Sequence, residues 1–297
     1  RKMIGIDGLL YEVVPDYFSA IELSPVNPVG ANSALTTLNP KVVLPTIRNV
    51  EVIGDSSMAL AVECAHRRRL IRTTKESSEV HLATSHRALR IQNFPKNSGL
   101  TSHFRAFALA SAARDVAGLN KFELDSLSAH IEIWINFLMR SPDIGYEAKD
   151  LSVAISDIRI VQKLISDGRI SREEVIRRAK DKTLRLFDVC SIDLPDQIDN
   201  ARDISVAHPE LETYIRELQF TEKQMIEPLR NKYPSVHFYF DLTRCSGIGY
   251  YSGLCYKLTA HNATGDRYQL AGGGACDSCI GRRSCKDPDF VRNFPES

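Results

Sequence analysis

The sequence predicts an α+β protein whose strand-forming segments lie on both sides of a helical stretch. Three observations carry this. Val236, Phe238, Phe240 and Leu242 alternate with His237, Tyr239 and Asp241, the period-two pattern of a half-buried strand. Leu124, Leu127, Ile131, Ile135 and Leu138 fall on one stripe of an amphipathic helix. The parallel strand-helix-strand alternation of a doubly wound sheet is absent, and Gly247-Ile248-Gly249 has no helix directly after it, so the dinucleotide-loop reading has little support.

The elements follow in order. Residues 1–60 are rich in Pro, Asn and β-branched side chains, and Ile21 to Val29 and Lys41 to Ile53 read as extended segments with turns at Asn27-Pro28 and Asn39-Pro40. A helix is expected from Ser57 to Arg69. Val80 to Ala113 reads as two strands joined by a loop at Pro95-Lys96-Asn97-Ser98-Gly99, and the amphipathic helix follows. From Leu151 to about Leu229 the reading is mainly helical, with a capping box at Ser171-Arg172-Glu173-Glu174 and breaks at Pro195, Pro209 and Pro228. The alternating strand, a glycine-rich turn, a strand through Leu258 and a third leading to Gly272-Gly273-Gly274 complete the chain.

Composition bounds the function. The chain has 297 residues, 43% apolar and 25% charged, with 38 basic and 37 acidic side chains. A polyanion would therefore need a local patch, for which His66-Arg67-Arg68-Arg69 is the candidate; the alternative is a solvated helix end. No stretch approaches the roughly 20 apolar residues of a membrane helix, and no signal peptide is evident, so a soluble, cytoplasmic protein is expected.

The most informative stretch is Phe240-Asp241-Leu242-Thr243-Arg244-Cys245-Ser246-Gly247-Ile248-Gly249-Tyr250-Tyr251-Ser252-Gly253-Leu254-Cys255-Tyr256, followed by Ala271-Gly272-Gly273-Gly274-Ala275-Cys276-Asp277. The pair resembles two blocks of histidyl-tRNA synthetases, R-G-L-D-Y-Y-T-G-x-x-F and G-G-G-R-Y-D, in order and spacing. Leu89-Arg90-Ile91-Gln92, a loop, and His103-Phe104-Arg105-Ala106-Phe107 are similar to that family's second class II motif. Gly54-Asp55-Ser56-Ser57 resembles its R-P-E-G-T turn, with an Asp closer to the family's non-catalytic relative, the ATP phosphoribosyltransferase regulatory subunit.

The resemblance implies a class II synthetase-like antiparallel sheet of six strands flanked by helices, split into residues 1–150 and 231–297 around a helical insertion at 151–230. It also implies a homodimer that binds ATP with Mg2+ and a small carboxylate, with acyl-adenylate formation as the chemistry; the tRNA or carrier acceptor stays open. Attack of a carboxylate on a phosphoryl group builds negative charge that preorganised arginines stabilise. The resemblance places Arg90 as the catalytic cation, with Arg244 and Arg105 assisting. Arg90, Gln92, His103, Arg105, Gly273 and Gly274 would bind ATP, and Asp55, Tyr250, Tyr251 and Gly272 the small acid.

Departures matter as much. The arginine opening R-G-L-D-Y-Y is Ser246 here, and the family's aspartate is Gly249. Arg244 lies two residues earlier; on a continuing strand it shares a face with position 246, about 6.6 Å away. It is thus either a substitute cation or an edge-strand surface arginine. Ala275 and Cys276 replace the arginine and tyrosine of G-G-G-R-Y-D, and Ala106 and Ala110 replace polar motif-two groups, so histidine is not the expected substrate. A third motif is not recognisable, and Arg282, Arg283 and Arg292 have no telling spacing. A complete tRNA synthetase is therefore not expected. The preferred reading is a divergent paralogue of that core that binds ATP and a small amino or organic acid and forms an acyl-adenylate. The alternative, which these losses favour, is a regulatory or sensor subunit, and an accessory subunit keeping only the fold is a third.

Other groups have two readings each. Cys245, Cys255, Cys276, Cys279 and Cys285 either converge on zinc or a redox role, or are reduced structural thiols. His86 and His103 flank the motif-two loop and either meet phosphate or pack. Asp55 and Glu63 either bind an amino group or magnesium, or are satisfied structural carboxylates. Trp134 and its apolar stripe read as core or dimer packing.

Overall fold

The structure is a computed structural model that describes residues 2–36, 38–74, 79–93, 101–113, 121–181, 183–204 and 208–276. These residues fall into two compact units, the first within residues 1–122 and the second starting at Glu123.

The first unit begins with a helix not expected from the sequence, α1 (Lys2–Val13), which buries Leu9 and Leu10. Then come β1 (Ser19–Ala20), β2 (Val26–Pro28), α2 (Ala31–Leu35) and β3 (Val50–Val52), followed by α3 (Ser56–Thr74), β4 (Val80–Leu89) and β5 (His103–Ala112). β4 and β5 pair antiparallel from Val80↔Ala112 to Leu89↔His103, as the sequence predicts, and β1 adds parallel to β4. α3 packs on this sheet. Leu60 and Cys64 of α3 meet Val80 and Leu82 of β4 and Ala108 of β5, all buried, because the small side chain at position 108 lets the helix approach. β2 and β3 form a separate two-stranded ribbon.

The second unit is built on α4 (Lys121–Arg140), β6 (Lys149–Asp157), α5 (Ile158–Ser166), α6 (Arg172–Lys180), α7 (Leu186–Val189), β7 (Gln197–Ile198), α8 (Glu212–Thr221), α9 (Glu227–Lys232), β8 (His237–Asp241), β9 (Leu254–His261) and β10 (Arg267–Gly274). The sheet order is β10-β9-β6-β8-β7. Its pairs are antiparallel except β6 with β8. Every residue of the predicted α4 stripe is buried. One core joins that stripe to Val153 and Ile155 of β6, Phe238 and Phe240 of β8 and Leu258 of β9.

Among the described residues, the strands expected as one antiparallel sheet of six form a three-stranded and a five-stranded group, each with one parallel pair, beside the two-stranded ribbon. The segment from Leu151 is not helical at its start: Leu151 to Asp157 belong to β6, in the middle of the sheet. Apolar period two at Leu151, Val153 and Ile155 changes to helical spacing at Ile158, Val161 and Leu164. Asp157 marks the change by capping α5, its Oδ1 accepting from Arg159 N at 3.0 Å. The expected boundaries at 150/151 and 230/231 thus differ from the unit boundary, since the helices share the core of β6 and β8.

The capping box at Ser171 is present with both reciprocal hydrogen bonds. Pro228 does not break the helix. A π-helical turn at Glu222–Ile226 joins α8 to α9, and Pro228 follows that turn as the second residue of α9, where the wider turn makes room for it. Among the described residues, no helix is long and apolar enough to cross a membrane.

Candidate ligand site

The first unit holds Arg90, just past the end of β4. Its Nε donates to Gly54 O at 2.8 Å, its Nη2 lies 3.4 Å from Asp55 Oδ2, and its guanidinium sits 5.4 Å from the centre of the Phe104 ring. Asp55 is shared, since its Oδ1 accepts from Ser57 N at 2.8 Å and starts α3. Behind the Gly54 turn is a buried carboxylate. Glu51 accepts from Gly30 N, Asn32 N and Asn32 Nδ2, at 2.8 to 2.9 Å, and Asn32 in turn accepts from Gly54 N at 2.9 Å through Oδ1. Hydrogen bonds to a charged acceptor contribute about 1.5–3 kcal/mol each, so this knot fixes the carbonyl that holds Arg90.

The other motif-two residues are engaged elsewhere. Arg105 Nε donates to Ser85 Oγ at 2.8 Å and lies 3.1 Å from Asp7 Oδ2 of α1. His103 Nδ1 accepts from Arg87 Nη1 at 3.0 Å, and the backbone N–H of Gln92 donates to Arg90 O. Glu63 pairs with Arg67 one turn along α3, while His66 and Arg69 are exposed, so the basic run belongs to a surface helix face. His86 is buried with no partner for Nε2; burial, then the charge of Arg105, holds its pKa below the ordinary value. The loop at 95–99 lies outside the described residues.

The second unit gathers the two glycine-rich blocks. β8 ends at Asp241, so Arg244 does not continue a strand and is no surface arginine: it is 7% exposed. Its Nε donates to Ser246 O at 3.1 Å, and its guanidinium lies 5.4 Å from the centre of the Tyr251 ring. The turn depends on glycine. Gly247 has φ +85° and Gly249 φ +83°, and a Cβ at 247 would meet the Tyr251 ring at 2.5 Å. Tyr250 and Tyr251 pack edge to face at 5.0 Å.

β10 shows why its glycines are needed. A Cβ at Gly273 would fall 2.8 Å from Tyr256 Cε1, and one at Gly274 2.5 Å from Cys255 Cβ. The chain's own side chains therefore cover these positions. Gly272 is more open, with Gln269 Nε2 at 3.3 Å.

Several polar groups in this unit are absent from the sequence reading. Asp157, fully shielded, takes two hydrogen bonds from the Arg159 guanidinium besides the one from its N–H, and Arg159 also pairs with Glu217 and lies over Tyr214. Arg178 pairs with Asp196 at 3.5 Å. Burial pushes the Asp241 carboxyl up, against the Thr243 N–H it accepts and the charges of Arg178 and Arg244. The period change at Asp157 is the signal that would have found the first group; the second has none in the local sequence. A groove of about 610 Å³, lined by Asn200, Arg202, Arg230 and His237 among others, includes none of the residues expected to bind ATP or the small acid.

Burial pushes the thiols of Cys245 and Cys255 up to about 12 and about 11. Cys276 is half-buried, its Sγ 3.3 Å from Tyr250 O. Among the described residues no group of three or more His, Cys, Asp or Glu side chains is placed to hold a metal ion. Cys279, Cys285, Arg282, Arg283 and Arg292 lie outside those residues.

Comparison with known proteins gives a consistent picture. A family profile described as Histidyl-tRNA synthetase matches residues 97–288. A search of curated proteins finds no match. Among solved structures, an ATP phosphoribosyltransferase regulatory subunit/histidyl-tRNA synthetase from Bacillus halodurans aligns with a TM-score of 0.66 at 13% identity, covering 99% of this chain and 74% of that one. A histidine-tRNA ligase subunit from Alicyclobacillus acidocaldarius aligns at 0.64 and 13%, covering 98% and 87%. The ATP phosphoribosyl transferase (HisG:HisZ) complex from Thermotoga maritima aligns at 0.56 and 16%, covering 92% and 90%. At these identities the likeness is one of fold.

Proposed function

The chain belongs to the histidyl-tRNA synthetase family, its match spanning residues 97–288, and on that basis we propose that it is a non-catalytic member that senses a small amino or organic acid as a regulatory subunit. The carrying observation is the state of the cations. Adenylate formation needs arginines held ready for developing phosphoryl charge. Ser246 and Ala275 stand where the family has two of them, and Arg90 and Arg105 are turned to Gly54 O, Asp55, Ser85 and Asp7.

On this reading ATP and Mg2+ are not the ligands, a choice supported by the partners of the residues expected to bind them. His103 accepts from Arg87, and Tyr256 and Cys255 cover Gly273 and Gly274. A protein partner belongs to this reading, because a solved relative of the same fold is a chain of the HisG:HisZ complex.

Pyrophosphate exchange tests it. The full chain is incubated with ATP, Mg2+ and a panel of amino and organic acids. No exchange, together with a melting shift produced by one of the acids, supports the sensor. Acid-dependent exchange would show an adenylate-forming ligase instead.

A further inference from the structure

We propose that the groove at the start of β8 is a receptor for a zwitterionic α-amino acid. The inference rests on the sensor reading and deepens it, since it chooses amino over organic acids and places the site at the opposite end of β8 from the glycine-rich turn. β7 pairs with β8 only at Gln197↔Asp241 and Ile198↔Phe240, and the chain then leaves the sheet. Arg230 takes the place of the missing ladder. Its Nη2 donates to Asp199 O and, at 3.0 Å, to Phe238 O; its Nη1 donates to Asn200 Oδ1 at 3.2 Å and to Glu222 Oε1 at 2.9 Å. Glu222 is buried and also accepts from Arg202 N at 3.0 Å. A fixed charge pair thus holds open a gap of about 610 Å³, within the range of about 300–1,000 Å³ that small-molecule sites occupy.

The charges at the rim are held loosely. Arg202 Nη1 meets Glu227 Oε1 at 3.3 Å with the two side chains 62% and 40% exposed, and His237 Nε2 meets Asp199 Oδ1 at 2.9 Å with both exposed. Among the described residues the first contact is the single side-chain hydrogen bond that Arg202 or Glu227 makes. Exposed pairs of this kind contribute little to stability, so they open for a ligand at little cost. Glu222 begins the π-helical turn and Glu227 follows it directly, and such turns recur at functional sites.

The charges also select the ligand. Arg230 is matched by Glu222, which leaves one cation, Arg202, and two carboxylates, Glu227 and Asp199, along the groove. An anion alone is drawn to Arg202 and repelled by both carboxylates, so phosphate and simple organic acids fit poorly. An α-amino acid carries its carboxylate and ammonium on one carbon. The adjacent Arg202 and Glu227 present the opposite charges at a similar separation, the guanidinium for the carboxylate and Glu227 for the ammonium. Pro234 and Val236 also line the groove, which gives a side chain apolar surface to meet.

The test is calorimetry on the full chain with L-leucine, L-phenylalanine and L-histidine. Each is set against the amine that lacks its carboxylate and the acid that lacks its amino group, with glycine, γ-aminobutyrate and inorganic phosphate alongside. At least one of the three amino acids binds, and its amine and its acid bind more weakly by about tenfold or more. Glycine, without a side chain, and γ-aminobutyrate, whose charges lie further apart, are weaker too. Arg202→Gln weakens the amino acid by about tenfold and leaves the amine as it was; Glu227→Gln weakens the amino acid by about as much and leaves the acid as it was.

Equal binding of an amino acid and its amine or acid overturns the proposal, as do amino-acid binding that neither substitution weakens, phosphate as the tightest ligand, or no amino-acid binding at millimolar concentration. The two readings fail separately. An amino acid that binds regardless of Arg202 and Glu227, or an organic acid that shifts the melting point where no amino acid binds, removes the groove and leaves the sensor. Acid-dependent pyrophosphate exchange removes the sensor, and the response of amino-acid binding to Arg202→Gln still decides the groove.

Discussion

Substituting Gly274 by alanine places a Cβ 2.5 Å from Cys255 Cβ, 2.7 Å from Leu254 O and 2.8 Å from Tyr251 Cδ1, where favourable contact between carbon atoms lies at about 3.5–4.0 Å. Two of these obstacles belong to the neighbouring strand and cannot rotate away. Leu254 O is held by the Ala275 N–H at 2.9 Å, and Cys255 is buried at 1% exposure. The third, the Tyr251 ring, moves only by leaving Arg244 and Gly247. Overpacking costs about 1–3 kcal/mol, and fixed atoms on two sides put this site near the upper end. At about 2–4 °C per kcal/mol for a unit of this size, the melting midpoint falls by about 6–12 °C.

The control is Gly272→Ala. There the nearest atoms are the movable Gln269 amide at 3.3 Å and Tyr256 O at 3.4 Å, so the change stays within about 0.5 kcal/mol. Urea and thermal denaturation of the two variants, followed by circular dichroism, decide the matter. If G274A unfolds together with the wild type, or G272A falls equally far, the glycines are not there for internal packing.

His86 gives a pH prediction. Its folded pKa lies below the ordinary 6.5 because burial, then Arg105, opposes its charge, with Glu22 acting the other way. The unfolded chain therefore takes up the proton first, so stability is whole above that value and declines as pH falls through it. Urea midpoints at pH 7.5 and 5.5 show the loss in the wild type and a smaller loss in His86→Gln. For the cysteines, burial pushes Cys64 and Cys245 up to about 12 and Cys255 up to about 11. Iodoacetamide at neutral pH, read by mass spectrometry, labels Cys276 first among the five described cysteines; comparable labelling of Cys245 in the folded chain would contradict the structure.

Where burial alternates over several residues, the sequence is a sufficient guide. The β8 strand, the β4–β5 pair and the α4 stripe all form as their periodicity demands. α1 was not legible because its buried face is narrow, and its anchors are distant: Asp7 accepts from Ser85 and Tyr11 receives the Ser85 N–H. β6 was missed because its strand period runs directly into the helical period of α5. The motifs single out Arg90 and Arg244 as candidates but say nothing of what those side chains touch. What engages Arg90 is a carbonyl 36 residues away, and what covers Gly273 is a tyrosine on the next strand. Such contacts follow from register, which local spacing does not encode.

The parallel pairing of β6 with β8 also governs how this unit forms. Ser152 pairs with His237, so roughly 85 residues separate the partners, and the sheet's middle cannot close until β8 exists. During synthesis at about 5–20 residues per second, β6 waits on the order of 4–17 s with Val153, Ala154 and Ile155 lacking their final neighbour. Such high contact order makes for slow folding and leaves an apolar edge open in the meantime. Yield on expression should thus be limited by this interval, and slower growth temperature or chaperone supply addresses it where a stabilising surface substitution would not.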